Sequence, residues 1–67
     1  MMKLNSLNLQ KDILEKLEFN QIYFIEQLKE MTRLELKELG FSYEEINLIA
    51  IKLQLNGLDL SRKKSSK

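Results

Sequence analysis

Apolar side chains recur every three or four residues along most of this chain, the spacing that places them on one face of an α-helix. No segment alternates apolar and polar residues as a half-buried strand does, and the chain contains no proline. The pattern predicts a first helix from about Gln10 to Glu18, capped by Asn8. A second helix is predicted to follow Asn20. The residues expected to point inward from it are Ile22, Ile25 and Leu28.

Two further helices have start signals that can be identified in the sequence. In each, a hydroxyl residue precedes a glutamate by three positions: the pairs are Thr32 with Glu35 and Ser42 with Glu45. Such a pair forms a capping box, in which the two side chains satisfy free backbone N–H groups at the helix start. The sequence therefore predicts a short third helix that buries Leu36 and Leu39, and a longer fourth helix from Tyr43 to about Leu55.

Glycines mark the ends of these two helices. Gly40 and Gly57 each follow a helical pattern, and glycine adopts the left-handed conformation that ends a helix at little cost. Beyond Gly57, the segment from Leu58 to Leu60 is expected to fold back so that its leucines cover the core. The chain thus predicts an all-α fold of four to five helices.

The fourth predicted helix is apolar on two sides. Its core positions are Ile46, Ile49, Ala50 and Leu53, and a second apolar stripe consists of Leu48, Ile51 and Leu55. In so small a domain one face of the final helix is difficult to bury internally, so the stripe suggests a surface for a protein partner or for self-association, including a homodimer. The alternative is that the chain termini pack over it.

Charge divides the chain into two parts. Residues 1–60 contain seven Lys and Arg against ten Asp and Glu, a net charge of −3, whereas residues 61–67 carry +4. We interpret residues 1–60 as a single helical domain and residues 61–67 as a disordered basic tail. An acidic domain has the wrong sign for binding DNA through its folded surface.

Composition also excludes several kinds of chemistry. The chain has no Cys and no His, which removes thiol nucleophiles, imidazole bases and the commonest metal ligands, so we expect neither an enzyme nor a metal or cofactor site. Its longest apolar run, Leu48 to Ile51, is far shorter than the roughly 20 residues that span a bilayer. The amino terminus lacks the apolar region of a signal peptide. These features predict a cytoplasmic protein with no membrane partner.

Four short motifs, taken in order, resemble a known family. They are Leu7-Asn-Leu9, Ile22-Tyr-Phe-Ile25 followed by Leu28, Thr32-x-x-Glu-Leu36 and Gly57-Leu58-x-Leu60. Their order and spacing resemble the C-terminal domain of the bacterial RNA polymerase alpha subunit, from about Leu7 to Leu60, with a one-residue shortening near Gly40. The resemblance implies a compact domain with a helix-hairpin-helix-type core and a role in transcription.

The resemblance also identifies positions that contact DNA in that family. The family's first-helix arginine and asparagine correspond to Asp12 and Glu15 here, and the glycine, lysine and serine of its loop before the last helix correspond to Ser42, Glu44 and Glu45. Carboxylates at these positions repel phosphates, so DNA binding of the family's kind is not expected. Each acid also suits a structural role, either in a capping box or on a solvated helix face.

Loss of the DNA contacts and gain of the apolar stripe favour one hypothesis: a non-catalytic interaction module of the transcription machinery that binds a protein partner. A second hypothesis is non-specific DNA binding through the hairpin backbone and the basic tail, whose cations are Arg62, Lys63, Lys64 and Lys67. A third follows from the segment Leu36-Lys-Glu-Leu-Gly40 before a long helix, which resembles the sterile alpha motif, a family of protein interaction domains.

Overall fold

The computed structural model describes residues 2–61, and within this range the fold is all-α. A 3₁₀ turn over Leu4–Leu7 precedes four helices: α1 spans Lys11–Phe19, α2 Ile25–Leu28, α3 Arg33–Glu38 and α4 Tyr43–Leu55. The described residues form no strand, and the only β-type pairing among them is two isolated bridges. None of the described helices is long and apolar enough to cross a membrane.

All elements contribute to one hydrophobic core. Its buried members are Leu4, Leu7, Ile13, Leu17, Ile22, Ile25, Leu28, Leu36, Phe41, Ile46, Ile49, Ala50, Leu53 and Leu60. Because this set runs from the 3₁₀ turn to the residues beyond α4, both ends of the described chain pack into the same core. Removing these side chains from water is the main favourable contribution to folding.

The capping boxes of α3 and α4 are present as predicted. The Glu35 N–H donates to Thr32 Oγ1 over 3.1 Å, and the Thr32 N–H donates to Glu35 Oε1 over 3.0 Å. At α4, Ser42 and Glu45 make the same reciprocal pair over 2.9 and 3.1 Å. The predicted bounds of α4 are confirmed, since the helix runs from Tyr43 to Leu55.

Both glycines occupy the left-handed region, with φ of +104° at Gly40 and +77° at Gly57. After Gly57 the chain reverses, and the Leu58 N–H donates to the Leu53 carbonyl over 2.8 Å. Leu60 is buried and Leu58 packs against the core, as predicted.

The start of α1 differs from the prediction. Asn8 does not cap this helix; it ends the 3₁₀ turn in the left-handed conformation, with φ of 60°, and its N–H donates to the Asn5 carbonyl. The residue that precedes α1 is Gln10, whose side chain makes no capping bond. The predicted cap was wrong because the 3₁₀ turn, which the sequence analysis did not anticipate, uses Asn8 for its own termination.

The second helix begins later than predicted. Its first residue is Ile25, because the preceding segment is extended and pairs with the amino-terminal chain. The Leu4 N–H donates to the Tyr23 carbonyl over 3.3 Å, and the Ile25 N–H donates to the Met2 carbonyl over 2.8 Å. Gln27 Oε1 also accepts the N–H groups of Tyr23 and Phe24. Ile22 is nevertheless buried, as predicted.

Leu39 was predicted to be in the core, but its side chain is exposed. Helix α3 ends at Glu38, so Leu39 lies at the helix terminus, where the chain turns away through Gly40. Phe41, only 1% exposed, enters the core immediately after this turn. The aromatic ring thus occupies the interior beside α3 in place of the leucine.

Candidate interaction surface

The three residues of the predicted apolar stripe on α4 differ in their exposure to solvent. Leu48 is partly buried and packs against the core, whereas Ile51 is 48% exposed and Leu55 is 75% exposed. At 100° per residue, Ile51 and Leu55 lie on the side of α4 opposite its core residues. We call Ile51 and Leu55 the outer surface of α4. Exposed aliphatic side chains that lie together on one helix face are typical of contact surfaces.

Helix α3 lies beside this outer surface. Arg33 Nη1 donates to Asn47 Oδ1 over 3.0 Å, and Asn47 is one turn before Ile51 on α4. The next residue of α3, Leu34, is 60% exposed. The contact between the two helices therefore adds a third exposed aliphatic side chain on the same side of the molecule.

An open groove of about 540 Å³ lies between α3, the second half of α4 and the segment that follows α4. Its lining residues are Thr32, Arg33, Leu34, Gln54, Asp59, Leu60 and Ser61. The Ser61 N–H donates to the Met31 carbonyl over 2.9 Å, which holds the end of the described chain against the start of α3. The groove is thus built from three segments that hydrogen bonds and core packing hold in place.

A second group of residues joins α1 to the start of α4, where the family resemblance placed DNA contacts. Lys16 Nζ lies 2.9 Å from Glu45 Oε1 and 3.1 Å from the Gly40 carbonyl oxygen. The same ammonium group is 5.2 Å from the centre of the Phe41 ring. Lys16 was not among the predicted site residues, because its partners Gly40 and Glu45 are more than 20 positions away in the sequence.

The Glu45 carboxylate is paired with Lys16 and hydrogen-bonded to the backbone of Ser42. The backbone N–H of Ser42 donates to its carboxylate and lowers its pKa, and the hydrogen bond and charge of Lys16 lower that pKa further. The other acidic positions, Asp12, Glu15 and Glu44, are exposed. The Asp12 carboxylate accepts the Ile13 N–H over 3.0 Å at the first turn of α1. Within residues 2–61, none of these three carboxylates forms an ion pair.

The remaining predicted site residues, Arg62, Lys63, Lys64 and Lys67, lie outside the described residues. Within residues 2–61, no group of three or more Asp and Glu side chains is placed to hold a metal ion.

No protein-family model, curated protein or solved structure matches this chain. The resemblance to the polymerase domain therefore stays a prediction from the four sequence motifs.

Proposed function

We propose that this chain is a non-catalytic interaction module that binds a protein partner through the outer surface of α4. The observation that carries the proposal is the exposure of Ile51 and Leu55 on a helix whose opposite face is fully packed. Burying an aliphatic side chain in an interface is favourable by about 25 cal/mol for each Å² removed from water. Leu34, exposed on the adjacent helix, enlarges the area available to a partner.

Charge favours a protein over DNA as the partner of the folded domain. Asp12, Glu15 and Glu44 are exposed carboxylates, and they would face phosphates if the chain bound DNA as the resembled family does. Lys16, the cation nearest to Glu45, is bound to that carboxylate and so does not supply a free positive charge. The motif resemblance supports a partner within the transcription machinery or its control.

Introducing a charged side chain on the outer surface of α4 tests this proposal. We expect Ile51→Glu, in the full tagged chain expressed in its own cells, to lose the specific protein that co-purifies with the wild type. Phe19→Glu is a matched control, since Phe19 is 88% exposed but lies at the end of α1. Circular dichroism should show the same helical content in all three proteins. Retention of the co-purifying protein by Ile51→Glu would show that α4 does not form the interface.

A further inference from the structure

Helix α4 is followed by an Asn-Gly pair, Asn56 and Gly57. Every other asparagine of the sequence is followed by a residue that carries a Cβ atom. Asparagine is a thermolabile residue, because the next backbone nitrogen can attack its side-chain amide. Glycine hinders this nitrogen least, since it has no Cβ beside it. Asn56 is therefore the asparagine at which the sequence makes loss of the amide easiest.

The reaction at such a pair consumes only water. The Gly57 nitrogen bonds to Cγ of Asn56, the bond from Cγ to Nδ2 breaks, and Nδ2 leaves as ammonia with the proton of the Gly57 N–H. Water then opens the resulting cyclic imide at either carbonyl. The product is aspartate, or isoaspartate when the peptide bond to Gly57 stays on the side-chain carbon. No group is oxidised or reduced.

The folded end of α4 holds the reacting atoms apart. Asn56 has ψ of 16°, which turns the Gly57 nitrogen toward the Asn56 nitrogen and away from its Cβ and Cγ. The Gly57 N–H donates to the Gln54 carbonyl over 3.0 Å, and the Leu58 N–H donates to the Leu53 carbonyl over 2.8 Å. These are the two hydrogen bonds that close a helix at a left-handed glycine. The attacking nitrogen is thus fixed in an unreactive position.

The side-chain amide of Asn56 is held as well. Its Nδ2 donates to the Lys52 carbonyl over 3.0 Å, in the last turn of the helix. The surroundings are nevertheless open: Asn56 is exposed, and around the position of a Cβ on Gly57 the described chain has no further atom within 4 Å. The hydrogen bonds of the helix end, and not enclosure by other segments, therefore separate the amide from the nitrogen that would attack it.

We propose that Asn56 is a site of spontaneous deamidation, and that the reaction proceeds when the last turn of α4 opens while the core stays folded. Helix ends open more readily than the core in a folded protein. One opening event releases the Gly57 N–H and the Asn56 amide and allows ψ to rotate. The site needs no partner, so it is independent of the proposed function.

The product destabilises the helix end that delays its formation. An ionised carboxylate only accepts hydrogen bonds, so the donor to the Lys52 carbonyl is lost. A negative charge also opposes the dipole at the C-terminal end of a helix. Isoaspartate adds a backbone carbon between positions 56 and 57, which displaces the following N–H groups from their acceptors. Deamidation therefore loosens the end of α4, next to Leu55 of the outer surface.

Incubation of the full chain at mildly alkaline pH tests the site. One sample stays folded and another is unfolded in guanidinium chloride; trypsin then releases residues 53–62, and fragment mass spectrometry distinguishes Asn56 from Gln54. We expect Asn56 to lose its amide at least about tenfold faster in the unfolded sample. The other asparagines of that sample should convert more slowly than Asn56. Equal rates at Asn56 in both samples, or no conversion in guanidinium chloride, would overturn the inference.

Two leucine variants distinguish local from global opening. Leu58 and Leu9 are both half-buried and pack against the core, but only Leu58 belongs to the end of α4. Leu58→Ala should raise the rate in the folded chain by roughly threefold or more, because it removes the apolar contact that accompanies this kind of helix end. Leu9→Ala is the matched control and should keep the rate within about twofold of the wild type. Equal acceleration by both would show a global route and overturn the local one.

Asn56→Asp reproduces the charged product. Hydrogen exchange followed by NMR should show the N–H groups of Gly57 and Leu58 exchanging at least about threefold faster than in the wild type. Asn47→Asp makes the same change in the first half of α4 and should leave the exchange of these two groups unaltered. Unchanged exchange in Asn56→Asp would overturn the effect of the product on the helix end.

Discussion

The two halves of this domain define their helices in different ways. In residues 32–61, α3 and α4 begin at capping boxes made by residues within three positions of each other, and a glycine with positive φ follows each helix. In residues 2–31, α1 begins without a side-chain cap, and α2 begins where an extended segment pairs with the amino-terminal chain. Capping residues close in sequence thus fix both helix starts in the second half, whereas in the first half α2 begins where Gln27 caps a segment that is paired with the distant amino-terminal chain.

The largest expected effect tests whether this difference matters for stability. Leu17 and Leu53 lie in opposite halves, and both side chains are completely buried. Because they share one core, Leu17→Ala and Leu53→Ala should each lower the free energy of unfolding by about 2–5 kcal/mol. Urea denaturation followed by circular dichroism measures this change.

Two further variants serve as a surface control and as a milder core substitution. Leu55→Ala, on the exposed side of α4, should change stability by no more than about 0.5 kcal/mol. If the alanine variants are unfolded in water, Ile49→Val should give a measurable loss of about 0.5–1.5 kcal/mol. If Leu17→Ala removed hydrogen-exchange protection from α1 alone and left α4 protected, the halves would be independent units and the single-core interpretation would be wrong.

The helix starts provide a more direct comparison of the halves. Thr32 caps α3 through its hydroxyl and is itself buried, so Thr32→Ala should lower the free energy of unfolding by about 1–2 kcal/mol. Gln10 occupies the corresponding position before α1 but makes no capping bond, so Gln10→Ala should change stability by less than about 0.5 kcal/mol. Thermal and urea denaturation measure both changes. Equal losses would show that α1 also depends on its preceding side chain.

These differences explain which features the sequence could predict. The bounds of α4, both capping boxes and the return of Leu60 to the core depend on short spacings, and all were predicted. The late start of α2 depends on hydrogen bonds between Met2 or Leu4 and residues about 20 positions away. Such pairing leaves no periodic pattern in a single sequence.

In the candidate site too, some features were predictable from the sequence and others were not. The exposure of Ile51 and Leu55 follows from helical spacing, and both residues were predicted to lie on an apolar stripe. The groove was missed, because its walls come from α3, α4 and the segment after α4, and only the packed structure brings Leu34 and Gln54 to one place. The contact of Lys16 with Glu45 was missed for the same reason, since 29 positions separate the two residues.

The Lys16–Glu45 contact links the two halves and should make stability depend on pH. The folded protein lowers the pKa of Glu45 from its ordinary value of 4.5, so its stabilisation is present above pH 4.5 and is lost as the pH falls through the lower folded value. Glu45→Gln should therefore reduce the loss of stability between neutral pH and pH 3, measured as the change in urea midpoint. Lys16→Met should reduce it by a smaller amount, because the Ser42 N–H remains the main cause.

Glu44→Gln is the control for this pH profile, since Glu44 is an exposed acid in the same turn of α4 and does not contact Lys16. It should retain the slope of the wild type. An unchanged slope in Glu45→Gln would mean that other carboxylates produce the acid sensitivity and that this link between the halves contributes little.

The smallest expected effect concerns the residues with positive φ. Both such positions in the second half are glycine, whereas the first half has Asn8 at φ 60° and Gln21 at φ 65°. The left-handed region costs a residue with a Cβ roughly 1–2 kcal/mol, and glycine returns about 0.5–1 kcal/mol of that through its greater freedom in the unfolded chain. Gln21→Gly should thus raise the free energy of unfolding by up to about 1 kcal/mol, measured by the urea midpoint. Asn8→Gly should raise it less, because asparagine tolerates this region better than glutamine does.

The Gln21 carbonyl still accepts from Gln27 Nε2 in the variant, so a loss of stability in Gln21→Gly would show that the glutamine side chain, and not the backbone, maintains this turn.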